Sequence, residues 1–310
     1  MADERGSTVR RRRLAAELRR QRVIAQLTLV QAAAELGDGW SSSKLSRVET
    51  ARLGISPGDL RRLLDLYGVL ESRRGPLLKL TRKARSRGWW EAYSPGLPGD
   101  YASYIELESE AVALHCFDAV TVHGLLQTEE YARAVIDAGL MALWAPAETD
   151  RRVDVRMTRQ RLLTRKPGPL RLWAVIHEAA LRCQVGSPAV MRAQCAHLTE
   201  LAGLPNVTLQ VLPNAAGAHP GTAGTFSILE FPEPHDPAVA YVETLTGNLF
   251  VETDAEVHRY TLAFSQLSAM ALSPEESQAF IARLAGPAKP RPAQPPGLHQ
   301  PPTQDKEVRT

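Results

Sequence analysis

A chain of 310 residues, 44% hydrophobic and 23% charged, has length for more than one core, and no uncharged stretch in it is long enough to span a bilayer. Three cysteines, Cys116, Cys183 and Cys195, are an odd number, which argues for reduced thiols in a cytoplasmic protein and against a disulfide framework. The net charge of +3 conceals an asymmetry: residues 1–90 carry 20 Lys+Arg against 9 Asp+Glu and the remainder 17 against 25, as expected when only the first part meets phosphate.

Residues 1–8 read as disordered, and MADERGSTVRRRR is followed by no apolar run of signal-peptide length. A DNA-binding domain is expected over 9–88. Its first helix, 9–24, carries Leu14 and Leu18 at i, i+4 among Arg10 to Arg13, Arg19, Arg20 and Arg22. The stretch Thr28 to Glu49 then reads as two short helices around a glycine turn. Thr28 caps the first, with Gln31 completing a capping box, and Ala32, Ala33 and Leu36 facing inward. Gly37 ends that helix in a conformation glycine tolerates. Ser41 caps the second, whose Leu45 and Val48 face inward. Ser42, Ser43, Lys44, Ser46 and Arg47 are left facing out, hydroxyls and cations without an acid, which suits a helix entering a DNA major groove.

This segment resembles the helix-turn-helix of the lambda-repressor-like, Xre-type regulators. Ala33 stands where the two helices cross, Gly37 at the turn, and Leu36, Trp40, Leu45 and Val48 at the apolar positions. Leu29 replaces the glutamine common at the start of the first motif helix, and Asp38 and Gly39 lengthen the turn. The resemblance implies an all-α, five-helix domain. It also implies a structural ion pair between an arginine near the end of helix 1 and an acid ending the recognition helix, positions that Arg22 and Glu49 hold. On this reading Arg47 contacts guanine, and Ser42, Ser43 and Ser46 reach base edges or bridging water. Lys44, Arg52 and the start of the helix capped by Thr28 hold phosphates, and Gln31 and Ser41 complete the DNA-binding set. The partner is double-stranded DNA, bound by a homodimer with recognition helices about 34 Å apart.

Residues 50–54 form a loop. Ser56, Pro57 and Asp59 open a further helix with Leu60, Leu63, Leu64 and Tyr67 on its stripe and Gly68 at its end. A helix over 71–87 follows, and Trp89-Trp90 marks the exit, one of the pair expected to pack between domains. A linker over 89–100 contains SPGLPG. From 101 to 284 the pattern mixes helices with strands, implying an α/β or α+β effector or interaction domain. Helices are expected at 101–114, from Gly124, at 148–164, 187–202, 254–270 and 274–284. Strands are expected at 170–176, 207–212, 226–231, 239–245 and 249–251. The tail 285–310, with seven prolines and few aliphatics, reads as disordered.

GLLQTEEYARA, LWAVIHEAAL, VTLQVLP and GAHPG together resemble the C-terminal domain of the WhiJ-like actinobacterial regulators. That resemblance implies transcription control and a small protein partner encoded nearby. The residues themselves offer no catalytic constellation. There is no G-x-S-x-G elbow, and Gly221-Thr222-Ala223-Gly224-Thr225 lacks the lysine of a phosphate loop. Cys183, Cys195 and His197 lack zinc-knuckle spacing. His219 before Pro220 reads as a turn histidine, and His177-Glu178 as a strand-to-helix junction. No enzyme activity, cofactor, metal or membrane association is expected. The reading is a nucleoid-associated transcriptional regulator whose second domain binds a small protein or ligand; the alternatives are an antitoxin-like protein that neutralises a small partner and an enzyme fused to a DNA-binding module.

Overall fold

Two separate helical and sheet-based cores account for the residues described by the computed structural model, which are 9–83, 99–139, 146–232, 237–245 and 247–286. Segment 1–8, the Trp89-Trp90 pair, all but the end of the linker and the proline-rich tail beyond Gly286 lie outside them.

The first core is built by α1 (Val9–Ile24), α2 (Leu29–Leu36), α3 (Ser42–Glu49), α4 (Pro57–Leu66) and α5 (Glu71–Lys83). Each of the three middle helices starts at a side-chain cap. Thr28 Oγ1 accepts the Gln31 N–H at 3.2 Å while Gln31 Oε1 accepts the Thr28 N–H at 2.9 Å, a reciprocal capping box. Ser41 Oγ accepts from the Lys44 N–H at 3.1 Å, and Ser56 Oγ from the Asp59 N–H at 3.0 Å. Gly37 ends α2 at φ 73°, ψ −148°, a positive-φ region open to glycine and costly for other residues. The Leu14, Leu18, Leu36, Leu45, Leu60 and Leu63 side chains meet in a dry centre, with Trp40 packed at its margin.

The second core surrounds a six-stranded mixed sheet of order β3-β2-β1-β4-β5-β6. Its strands are β1 (Ala113–Asp118), β2 (Arg171–His177), β3 (Val207–Leu212), β4 (Phe226–Glu230), β5 (Val239–Glu243) and β6 (Asn248–Val251). β1, β2 and β3 are parallel; β4, β5 and β6 continue antiparallel from the other side of β1. The helices are α6 (Gly99–Glu110), α7 (Glu129–Gly139), α8 (Pro146–Gln160), α9 (Glu178–Arg182), α10 (Pro188–Leu201), α11 (Asp254–Met270) and α12 (Pro274–Ala285). Alternation along the strands sends Leu114, Cys116, Leu172, Ala174, Ile176, Leu209 and Val211 to one face, where α6, α7, α10 and α12 cover them. Phe117, Val175, Leu212, Phe226 and Ile228 point the other way, against Val257, Phe264 and Leu267 of α11.

One expectation fails here. Residues 101–114 are not a single helix: α6 ends at Glu110, and Ala113 and Leu114 begin β1. β1 pairs on both sides, in register with β2 from Ala113↔Arg171 to Asp118↔Ile176 and with β4 from Ala113↔Glu230 to Phe117↔Phe226. A strand buried on both faces shows no alternation, so its short apolar run reads like the end of a helix. The segment from Gly124 likewise divides, into a 3-10 turn at Gly124–Leu126 and α7.

Candidate nucleic-acid interface

α3 presents the surface. Leu45 is fully buried and Val48 nearly so, which fixes the helix's rotation about its own axis. Ser42, Ser43 and Arg47 are then exposed, while Lys44 and Ser46 are half-buried at the edges of that face. Among the described residues nothing pairs with the Arg47 guanidinium. Arg47 thus offers a planar two-pronged donor of the shape that fits guanine O6 and N7, flanked by hydroxyls that fit base edges.

Lys44 is held in place. Its Nζ donates to the Gly39 carbonyl at 2.8 Å and lies 4.3 Å from the centre of the Trp40 ring. The turn lengthened by Asp38 and Gly39 therefore anchors the one ammonium of α3 beside the helix start, with N–H donors to spare for a phosphate oxygen. Thr28 and Gln31 are exposed but occupied with each other through the capping box, the Thr28 hydroxyl donating to Gln31 Oε1 at 2.8 Å. Ser41 is exposed and spends its oxygen on the cap of α3. Arg52 is exposed on the loop after α3.

From behind, α3 is fastened by Glu49. Arg22 Nε and Nη2 each donate to that carboxylate at 2.8 Å, and Arg22 Nη1 donates to the Leu27 carbonyl at 2.8 Å. One guanidinium thereby joins the end of α1, the loop into α2 and the end of α3. The pair is nearly dry, with 11% of the Arg22 side chain and 3% of Glu49 exposed. The bond to Glu49 raises the Arg22 pKa. Burial, and then the Glu49 charge, pushes the Tyr67 hydroxyl up; it sits 3.4 Å from Glu49 Oε1 as a neutral donor. Sequence reasoning missed Arg62, whose Nη2 donates to the Leu36 carbonyl and satisfies the open end of α2. Its position in α4 carries no sign of that role, because the partner is a backbone atom 26 residues away.

The sheet core holds a second buried pair that no spacing announced. Arg159 Nε and Nη2 donate to the two oxygens of Glu108, each at 2.7 Å, and Arg159 Nη1 donates to the Tyr101 hydroxyl at 2.6 Å. Two thiols there, Cys116 and Cys195, are poor nucleophiles, since burial pushes Cys116 well up and Cys195 to about 11. Cys183 is exposed at the end of α9 and Cys195 buried in α10. Among the described residues no group of three His, Cys, Asp or Glu is placed to hold a metal, and no helix is long and apolar enough to cross a membrane.

A family model described as a helix-turn-helix domain matches residues 13–77, which span α1 to α5. A second, described as a domain of unknown function (DUF5753), matches residues 101–283, from α6 into α12. No curated protein and no solved structure matches the chain.

Proposed function

The chain belongs to the DUF5753 family and carries a helix-turn-helix domain ahead of the family's own, and from that premise we propose a sequence-specific transcriptional regulator that reads an operator with α3. The observation that carries the reading is the pairing of an exposed Ser42-Ser43-Arg47 face with a buried Arg22–Glu49 clamp directly behind it. A clamp of this kind fixes the pitch of a short helix that must keep its outer side bare.

In this reading Arg47 reads a guanine, the serines read neighbouring edges directly or through water, and Lys44 and Arg52 hold phosphates. The N–H groups at the start of α2 face a further phosphate. Two copies place their α3 helices about 34 Å apart on the two halves of an operator. The finer kinship is with the Xre-type and WhiJ-like regulators, acting in the cytoplasm on the nucleoid. The C-terminal domain is not an enzyme but a receiver, which binds a small protein or ligand and passes its state to the DNA-binding part.

Selection of bound genomic fragments, followed by binding titrations on the recovered operator, tests the reading. Arg47→Ala should cost about 1–3 kcal/mol and relax preference at one base pair. Lys44→Ala should weaken all sequences alike and lower the salt slope by about 1. Unchanged affinity and unchanged sequence preference in Arg47→Ala would remove α3 from the interface.

A further inference from the structure

The carboxyl ends of the parallel strands lie side by side at Asp118 of β1, His177 of β2 and Leu212 of β3. Strand order along the sheet reverses at β1, with β2 and β3 on one side and β4 on the other. In open sheets of this kind ligands settle outside the strand carboxyl ends at such a reversal. Here that position is framed by His177 and by the glycine-rich loop that leaves β3 and returns as β4.

The loop is a built feature. His219 lies edge-on to Phe117, ring centres 5.5 Å apart. Gly221 packs so closely on the Phe117 ring that a Cβ there would overlap it. Thr225 Oγ1 accepts the Ala119 N–H at 3.1 Å and fastens the loop to the end of β1. The result brings His177 and His219 together, ring centres 5.3 Å apart and planes inclined by 37°.

Both rings have Nδ1 engaged in the same way. The Ala179 N–H donates to His177 Nδ1 at 3.2 Å, and the Gly221 N–H donates to His219 Nδ1 at 3.2 Å. A neutral imidazole has one protonated nitrogen and one acceptor, so a ring that accepts at Nδ1 carries its proton on Nε2. Burial, then the neighbouring His177, holds His219 below the ordinary histidine value and keeps it neutral near pH 7. Among the described residues neither Nε2 has a hydrogen-bond partner. A metal would need the Nε2 lone pair, which this tautomer lacks; an oxygen acceptor needs the N–H that it offers. Glu178, next to His177 in the chain, is already engaged, its Oε2 accepting the Asn214 N–H at 2.9 Å and its Oε1 the Arg182 Nε–H at 2.5 Å.

We infer that His177 and His219 form a paired N–H donor site, at the carboxyl edge of the sheet, for the oxyanion of a small phosphorylated or carboxylated ligand. The inference deepens the reading of the C-terminal domain as a receiver and rests on it. Operator affinity measured without added anion tests the DNA-binding reading separately.

The experiment is long-range 1H–15N spectroscopy of the imidazoles in the full chain, titrated with inorganic phosphate and, in a second arm, with acetate. Both rings should show the Nε2–H tautomer and move together, saturably, with at least one anion; the arm that saturates first names the phosphoryl or the carboxylate class. His177→Asn and His219→Asn keep a cap acceptor but hold their amide N–H short of the Nε2 position, so each should weaken anion binding about tenfold. Any of four results overturns the site: an Nδ1–H tautomer at either ring, no saturable shift with either anion, affinities unchanged in both variants, or saturable zinc binding that both variants abolish.

Discussion

Arg22–Glu49 in the helical part and Arg159–Glu108 in the sheet domain are close chemical relatives placed in different service. Both are bidentate, both are nearly dry, and both have tyrosines against them: Tyr67 beside the first, Tyr101 and Tyr104 beside the second. Arg22 keeps 11% of its side chain exposed and spends its remaining donor on a loop carbonyl, so it ties three segments that set the angle of an exposed helix. Arg159 keeps 4%, its partner none, and its remaining donor goes to a tyrosine; it joins α6 to α8 with no surface to position. Arg22–Glu49 thus sets the angle of an exposed face, whereas Arg159–Glu108 holds two layers together. Desolvating the charges opposes both, so each is expected to matter most when only one partner is removed.

The largest effect should come from halving the drier pair. Arg159→Met leaves Glu108 charged and unpaired, and should destabilise the sheet domain by about 3–5 kcal/mol. Calorimetry of the full chain would register it as a lowered transition for that domain, with operator affinity intact. Arg22→Met should cost about 3 kcal/mol in the helical part and, unlike the first variant, weaken operator binding as α3 loses its fixed angle. Equal effects of the two variants on DNA binding would erase the distinction between them.

Two titrating groups of the sheet domain, Asp118 and His123, oppose each other. Burial raises Asp118 to about 7 and lowers His123 to about 4. Between about pH 4 and 6.5 the folded Asp118 holds a proton that the unfolded chain releases, so its contribution to stability falls as pH rises. Over the same range the unfolded His123 holds a proton that the folded ring lacks, so its contribution rises with pH. The two slopes nearly cancel. Asp118→Asn should expose the histidine slope, the unfolding constant then falling with pH by about tenfold per unit more steeply than in the wild type from pH 4 to 6.5. Denaturant titrations across that range would show the variant's stability rising more steeply with pH than that of the wild type; parallel profiles would refute the assignment. The smallest effect is expected from Ser41→Ala, a cap loss of about 1 kcal/mol confined to the helical part.

The capped helices α2, α3, α4 and α12 were legible because their signals are local. Thr28, Ser41, Ser56 and Ser273 each act on a backbone group three residues away, a distance the chain sets by itself. The same holds for the inward stripe of Leu45 and Val48, and hence for which side of α3 is left to serines and Arg47. The sheet domain's helices and most of its strands could be read from period and punctuation. β1 could not, since what makes it a strand is hydrogen bonding to β2 and β4, whose partners lie more than 50 residues along the chain.

Tertiary structure alone decided the rest, and for a common reason. Lys44 folding onto Gly39 and Trp40, Arg62 reaching Leu36, and Arg159 finding Glu108 are outcomes of which surfaces happen to meet. His177 and His219 are a junction residue and a turn residue in the sequence. They become neighbours only because parallel strands end level and a glycine at 221 lets the loop close on Phe117. Caps and periodicity follow from backbone geometry over a few residues, whereas the pairing of charges and rings depends on long-range closure, which no local pattern encodes.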